Sequence, residues 1–135
     1  FRASREALIV RESGKCWLSG ATAETSGFPL EAHHYPVERC FAEKWDWSRF
    51  AKDCREGMWG PYAQAFDFDM FLATTPFDPY VFVDDMRVNG RLLCKQFHTG
   101  PDEGIHALPY PIYLAQKYLV EGYKFSDIEV VHHVD

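Results

Sequence analysis

Apolar positions Ala7, Leu8 and Val10 follow Ser4 at helical spacing, so a short helix is expected, capped by Ser4 and ended by Gly14. The run Leu8-Ile9-Val10 fits a strand equally well. A loop of small residues from Ala21 to Gly27 leads into Phe28 to Tyr35, which reads as a strand that Pro36 stops. Trp47, Phe50, Ala51, Cys54 and Met58 return to helical spacing and predict about three turns before Gly57 and Gly60 break the pattern. Phe66, Phe68, Met70, Phe71, Phe77, Tyr80 and Phe82 then form an aromatic run cut by Pro76 and Pro79. It is too irregular for one element and reads as a satellite core under a long loop rather than as a base-stacking platform. Val88 to Phe97 predicts a second strand or turn entering a helix, with His98 just beyond. Thr99 to Gly104 is rich in turn residues. Pro109 and Pro111 favour the start of a helix with Ile112, Ala115 and Leu119 on one face and Gly122 at its end. Phe125 to Val131 reads as a last strand before His132 and His133, and no internal repeat is visible.

A chain of 135 residues with this apolar and charged balance suits one domain spanning 1–135. It contains no run near the roughly 18 apolar residues of a membrane span and opens with no secretory leader, so a cytoplasmic protein without a membrane partner is expected. The net charge of −6 opposes any grip on nucleic acid through overall positive charge. Residues 35 to 88 hold ten Asp/Glu against six Lys/Arg, a net −4, which leaves −2 for the rest. A DNA-facing surface is therefore expected outside that middle segment. The four cysteines, Cys16, Cys40, Cys54 and Cys94, lie far apart and read as free thiols or a damaged metal site rather than as bridges. Cys16-Trp17-Leu18-Ser19-Gly20 has the outline of a zinc-knuckle turn that lacks its second cysteine.

The candidate chemistry lies in the adjacent pair His33-His34 and in a second stretch where Asn89 precedes His98 by nine positions. Hydrolysis of a phosphodiester needs a base for the attacking water and a cation to hold the phosphate and relieve charge on the leaving oxygen. Histidine serves in either role, as a base near neutral pH or as a transition-metal ligand, so an adjacent pair can divide them. A regular strand sends neighbours to opposite faces, so a shared site requires the strand to end or bulge at the pair.

The order Cys16, His33-His34, Asn89, Cys94, His98 resembles the HNH nucleases of the ββα-metal (His-Me finger) fold, most of all phage- and prophage-encoded members. The resemblance covers about residues 5 to 106. It implies an α+β fold with a hairpin-and-helix core at about 5–36 and 86–106, an insertion at about 37–85 and a C-terminal helix and strand at about 109–131. It further implies a metal-dependent DNA endonuclease, with His34 as general base and His33 and His98 as metal ligands. His106 or Asp102 completes the coordination, and histidine, the commoner partner, favours His106. Asn89 ties the loop that orients His34, while Arg91 and Lys95 contact flanking phosphates. The ion is Mg, Mn, Zn or Ni, and the substrate is double-stranded DNA. Ser19 and Phe97 stand where the family's structural zinc has cysteines, so Cys16 and Cys94 are a remnant. That loss and the acidic charge favour the rival expectation, a catalytically inactive HNH-fold module in a phage or host complex. In either case the acidic insertion is a candidate contact for a protein partner.

Overall fold

Two strands of three residues pair antiparallel and form the frame on which the histidines sit. In the structure, a computed structural model describing residues 2–101, 104–107 and 117–123, β1 (Glu31–His33) meets β2 (Arg91–Leu93) with Glu31 opposite Leu93, Ala32 opposite Leu92 and His33 opposite Arg91. Helices α1 (Arg2–Arg11) and α2 (Ala23–Ser26) precede the hairpin. Between its strands lie a 3₁₀ turn (Arg39–Lys44), α3 (Trp47–Arg55), α4 (Gly60–Gln64), α5 (Phe68–Ala73) and α6 (Tyr80–Val83). Helix α7 (Lys95–Thr99) and a second 3₁₀ turn (Ile105–Ala107) follow β2. Many helices with one small antiparallel sheet make this an α+β chain. Asp102, most of the expected Pro109–Lys124 helix, the strand from Phe125 and the pair His132-His133 lie outside the described residues.

Several elements differ from their sequence patterns for local physical reasons. The first segment is a helix and not a strand: Leu8 is fully buried while Val10 is 80% exposed. Ser4 lies inside this helix instead of capping it. Its hydroxyl donates to Asp84 O at 3.2 Å and accepts from Met86 N at 3.1 Å, which fastens α1 to the chain after α6. The strand expected over Phe28–Tyr35 shrinks to Glu31–His33, because a turn at Gly27 (φ 82°) and the Ser26 bond to Phe28 O leave Phe28 exposed. Met58 falls beyond the end of α3 and is exposed. His98 sits within α7 and not after it. Leu119 bridges Trp45, and Val120 N donates to Lys44 O at 2.9 Å, so tertiary pairing replaces the expected helix over this part.

Phe68, Phe71 and Phe82 of the aromatic run join the larger core, which among the described residues holds fourteen buried residues against five around the hairpin, so the run is no satellite, while Met70 and Phe77 stay exposed. Pro76 and Pro79 divide the run into short helices, and Asp46 and Asp67 cap α3 and α5 through the backbone of Arg49 and Met70. The rings meet edge to face, as in Phe50–Tyr118 (5.1 Å) and Phe66–Phe82 (5.0 Å). Tyr118 belongs to the 117–123 segment, and its hydroxyl donates to Asp53 Oδ2 at 2.8 Å. Lys117 and Tyr118, bound to the Asp53 carboxylate, hold it below its ordinary 3.8. A depressed folded-state value means that this stabilisation is present above pH 3.8 and lost as pH falls through the folded value. Thermal unfolding across a pH series is expected to show an acid-side loss of stability that Asp53→Asn reduces; identical acid profiles would contradict this.

Asn89 is fully buried and closes the insertion onto the hairpin. Its Oδ1 accepts from Val37 N (2.9 Å), and its Nδ2 donates to Val37 O and Val83 O (both 2.8 Å). Gly90 follows because a Cβ there would lie 2.7 Å from Met86 O. Asn89→Ala removes three bonds from buried backbone and is expected to cost about 2–4 kcal/mol, read as a lowered urea midpoint at unchanged slope. An unmoved midpoint would show that the amide holds nothing.

Candidate metal centre

The two-residue period of β1 directs Glu31 and His33 to one face, and α7 brings His98 against it. A close backbone approach then adds His106. Gly104 N donates to Gly100 O at 3.1 Å, and a Cβ on Gly104 would lie 2.5 Å from Gly100 N, so the chain folds back tightly over the end of α7. His33, His98 and His106 each offer a ring nitrogen, and these atoms lie within 4.8 Å of one another, close enough to hold a metal ion. His33 and His98 are buried and His106 is half-buried. Among the described residues, this is the cluster of three or more ligating side chains that a cation would find.

Carboxylates surround the trio. His98 Nδ1 donates to Glu31 Oε1 at 2.9 Å, and since an ionised carboxylate only accepts, the neutral ring keeps its lone pair on Nε2. That atom is 3.1 Å from His106 Nε2. Two nitrogens bound to one ion at about 2.0–2.1 Å lie about 3.0–3.4 Å apart, so the spacing suits a shared cation. Glu38, 5% exposed, places Oε1 4.0 Å from His33 Nε2 and adds negative charge beside the cluster. Three imidazoles fit a borderline transition ion such as Zn or Ni far better than Mg, which prefers oxygen ligands.

His34 lies outside this trio. β1 ends at His33, and the next ring turns to the insertion, where His34 Nε2 donates to Asp84 Oδ1 at 3.0 Å. The same oxygen accepts from Arg39 Nε at 3.2 Å, and the Arg39 guanidinium lies 4.6 Å from the centre of the Tyr80 ring. Asn89 binds backbone on both sides of this arrangement, at Val37 just after the histidine pair and at Val83 just before Asp84. Arg91 reaches Glu12 Oε1 at 3.4 Å and lies over the rings of Trp17 (4.8 Å) and Tyr35 (5.3 Å), and Lys95 lies over Phe28 (4.7 Å). Cys16 and Cys94 are both buried in the hairpin core, with the Ser19 hydroxyl 3.7 Å from Cys94 Sγ.

Comparison with protein-family models, curated proteins and solved structures finds no match to this chain. Its function is therefore to be read from the chemistry of the site. Among the described residues, no helix is long and apolar enough to cross a membrane.

Glu31, Glu38, Arg39 and Asp84 are the members that the sequence pattern overlooked. Glu31 was within reach, since strand alternation puts it on the face of His33. Arg39 and Asp84 carried no signal, because 45 residues separate them and only folding brings them to His34.

Calorimetric titration with Zn or Ni is expected to show one ion per chain, loss of binding in His98→Ala, and about 10- to 100-fold weaker binding in Glu31→Gln. Equal affinity in the parent and the single alanine variants of His33, His98 and His106 would move the ion elsewhere.

Proposed function

We propose that this chain is a metal-dependent endonuclease of the HNH type, hydrolysing phosphodiester bonds in double-stranded DNA. One observation carries the reading: the histidine that follows one member of a three-histidine cluster in sequence has its Nε2 against a carboxylate. With the ring proton on Nε2, the neutral ring keeps its lone pair on Nδ1, the form a general base requires. In this reading His34 takes a proton from the attacking water at Nδ1, a nitrogen that is buried in this structure, so substrate binding has to open a path to it. Asp84 keeps the ring in that tautomer and offsets the charge of the imidazolium that forms. Arg39, its side chain 45% exposed beside this pair, binds a non-bridging phosphate oxygen in the approaching strand. His33, His98 and His106 hold the cation, with Asp102 a further candidate ligand. A bound divalent ion supplies Lewis-acid stabilisation of the phosphate and of the leaving oxygen. Arg91 and Lys95 serve flanking phosphates, and the acidic insertion, apart from Arg39 and Asp84 at His34, is left to a protein partner. A cytoplasmic, phage-related setting accords with this reading.

A second reading, a catalytically silent module of the same fold, draws on the 4% exposure of His34 and on the net charge of −6. Nicking of supercoiled plasmid with Mg, Mn, Ni or Zn separates the two. The nuclease reading expects cleavage by the parent, a loss of about 10²–10⁴-fold in His34→Ala, and about tenfold or more in Asp84→Asn at unchanged metal affinity. A parent that binds metal yet cuts no faster than His34→Ala under every ion is the silent module. Single-stranded DNA and RNA of equal length test the substrate class.

A further inference from the structure

The insertion leaves part of its apolar surface in water, in a groove of about 230 Å³ lined by Phe66, Met70, Phe71 and Val81 from α5, α6 and their surroundings. Met70 is 67% exposed and Val81 55%, although the next residue on each helix, Phe71 or Phe82, is buried in the core. One side of each helix is thus used for packing, and the other presents apolar carbon to solvent. Phe77, also exposed, packs its ring 5.0 Å from that of Phe71 and adds to this surface. Three carboxylates and one guanidinium complete the lining. Asp85 and Arg87 neutralise each other through bonds of 2.9 and 2.8 Å. Asp67 and Asp78 each use one oxygen on a backbone N–H, that of Met70 at 3.1 Å and of Tyr80 at 3.0 Å, and form no ion pair among the described residues. The groove therefore combines exposed apolar side chains with two carboxylates that lack a counter-charge.

We propose that this groove docks a protein partner through an apolar side chain flanked by Lys or Arg. The inference rests on the assignment of the insertion to a protein partner, and it gives that contact a place and a chemistry.

Size and charge select this occupant. The volume falls below the roughly 300–1,000 Å³ of sites that enclose a whole small molecule, and suits a side chain presented by a larger body. The phosphates of DNA or of an anionic membrane would meet Asp67 and Asp78 with like charge. A two-fold contact with a second copy would set the same carboxylates against each other. A partner with cationic residues on either side of an apolar one meets opposite charge at the carboxylates and apolar carbon between them. Met70 suits the contact, because its unbranched thioether adapts to the shape of what it covers. Burial of apolar surface supplies most of the affinity. The charges, exposed and screened by salt, set orientation and the rate of encounter.

The test records amide NMR spectra of the isotope-labelled whole chain during titration with the peptide Gly-Lys-Lys-Leu-Leu-Lys-Lys-Gly. Peptides of equal length with Glu for Lys, or with Ser for Leu, are the controls. The Lys peptide is expected to shift amides between residues 66 and 85 in a saturable way, and each control to bind about tenfold more weakly or worse. Met70→Ser combined with Val81→Ser changes two exposed positions and should weaken binding about tenfold, with the melting temperature as the check on folding. Asp67→Asn keeps the cap of α5, because asparagine caps as well as aspartate. Together with Asp78→Asn it should weaken binding about two- to tenfold at low salt and match the parent at high salt. Shifts centred elsewhere in the chain would overturn the proposal, as would equal binding of the three peptides, parent-like binding by the Met70→Ser, Val81→Ser chain, or no shift at all. Shifts at the same residues on concentrating the chain alone would give the groove to a second copy instead. A chain that cuts plasmid but shows no shift at the groove loses this inference alone, and one that takes the peptide but cuts nothing loses only the nuclease reading.

Discussion

The amide of Asn89 is the interaction on which the candidate site depends. It bonds to the backbone where the chain leaves the histidine pair, at Val37, and where it comes back from the insertion, at Val83. A buried amide that finds partners for both its oxygen and its nitrogen is worth more than its bond count, because any slip leaves polar backbone groups unsatisfied in an apolar setting. Its position also sets the path of the chain into the second strand. Gly90 passes against Met86, β2 begins at Arg91, and the register with β1 is then settled residue by residue. The two ends of the insertion are thereby brought to His34, which is how His34 and Arg39 meet at one oxygen of Asp84.

Carboxylates divide the four histidines of the described residues between two settings. Glu31 and Glu38 face His98 and His33, and Asp84 faces His34, so each of these rings has a carboxylate beside it. Around the trio, the negative charge favours a cation among nitrogens that carry lone pairs. At His34 the carboxylate acts on the proton, holding it on the nitrogen it contacts. Neighbours in sequence thus meet different surroundings because β1 stops between them: one ring remains with the sheet and the helix, and the next turns to the insertion.

The insertion is structural before it is anything else. Its rings form the larger core, and Tyr118 inserts among them from the far end of the chain, with Trp59 donating to its hydroxyl at 2.8 Å. The same body that carries excess acid thus contributes Arg39 and Asp84 to the surroundings of His34, so its charge and its packing cannot be separated from the site.

Taken alone, the sequence determined which histidines and which asparagine were candidates for the site, and their order. The pair His33-His34, the asparagine before the second strand, His98 after it and His106 beyond a glycine-rich turn are all readable as residue types at fixed separations. So was the helical face of Trp47, Phe50, Ala51 and Cys54, since helical periodicity is a local property. Tertiary structure alone decided which ring faces which partner. Strand alternation holds only where a strand exists, and β1 is three residues long. Packing decided that Phe68, Phe71 and Phe82 of the proline-broken aromatic run join the main core, that Leu119 bridges Trp45, and that Ser4 binds Asp84 O rather than capping its helix. Each outcome turns on contacts between residues far apart in the chain, whose free energy comes from burial and hydrogen bonding that no local pattern encodes.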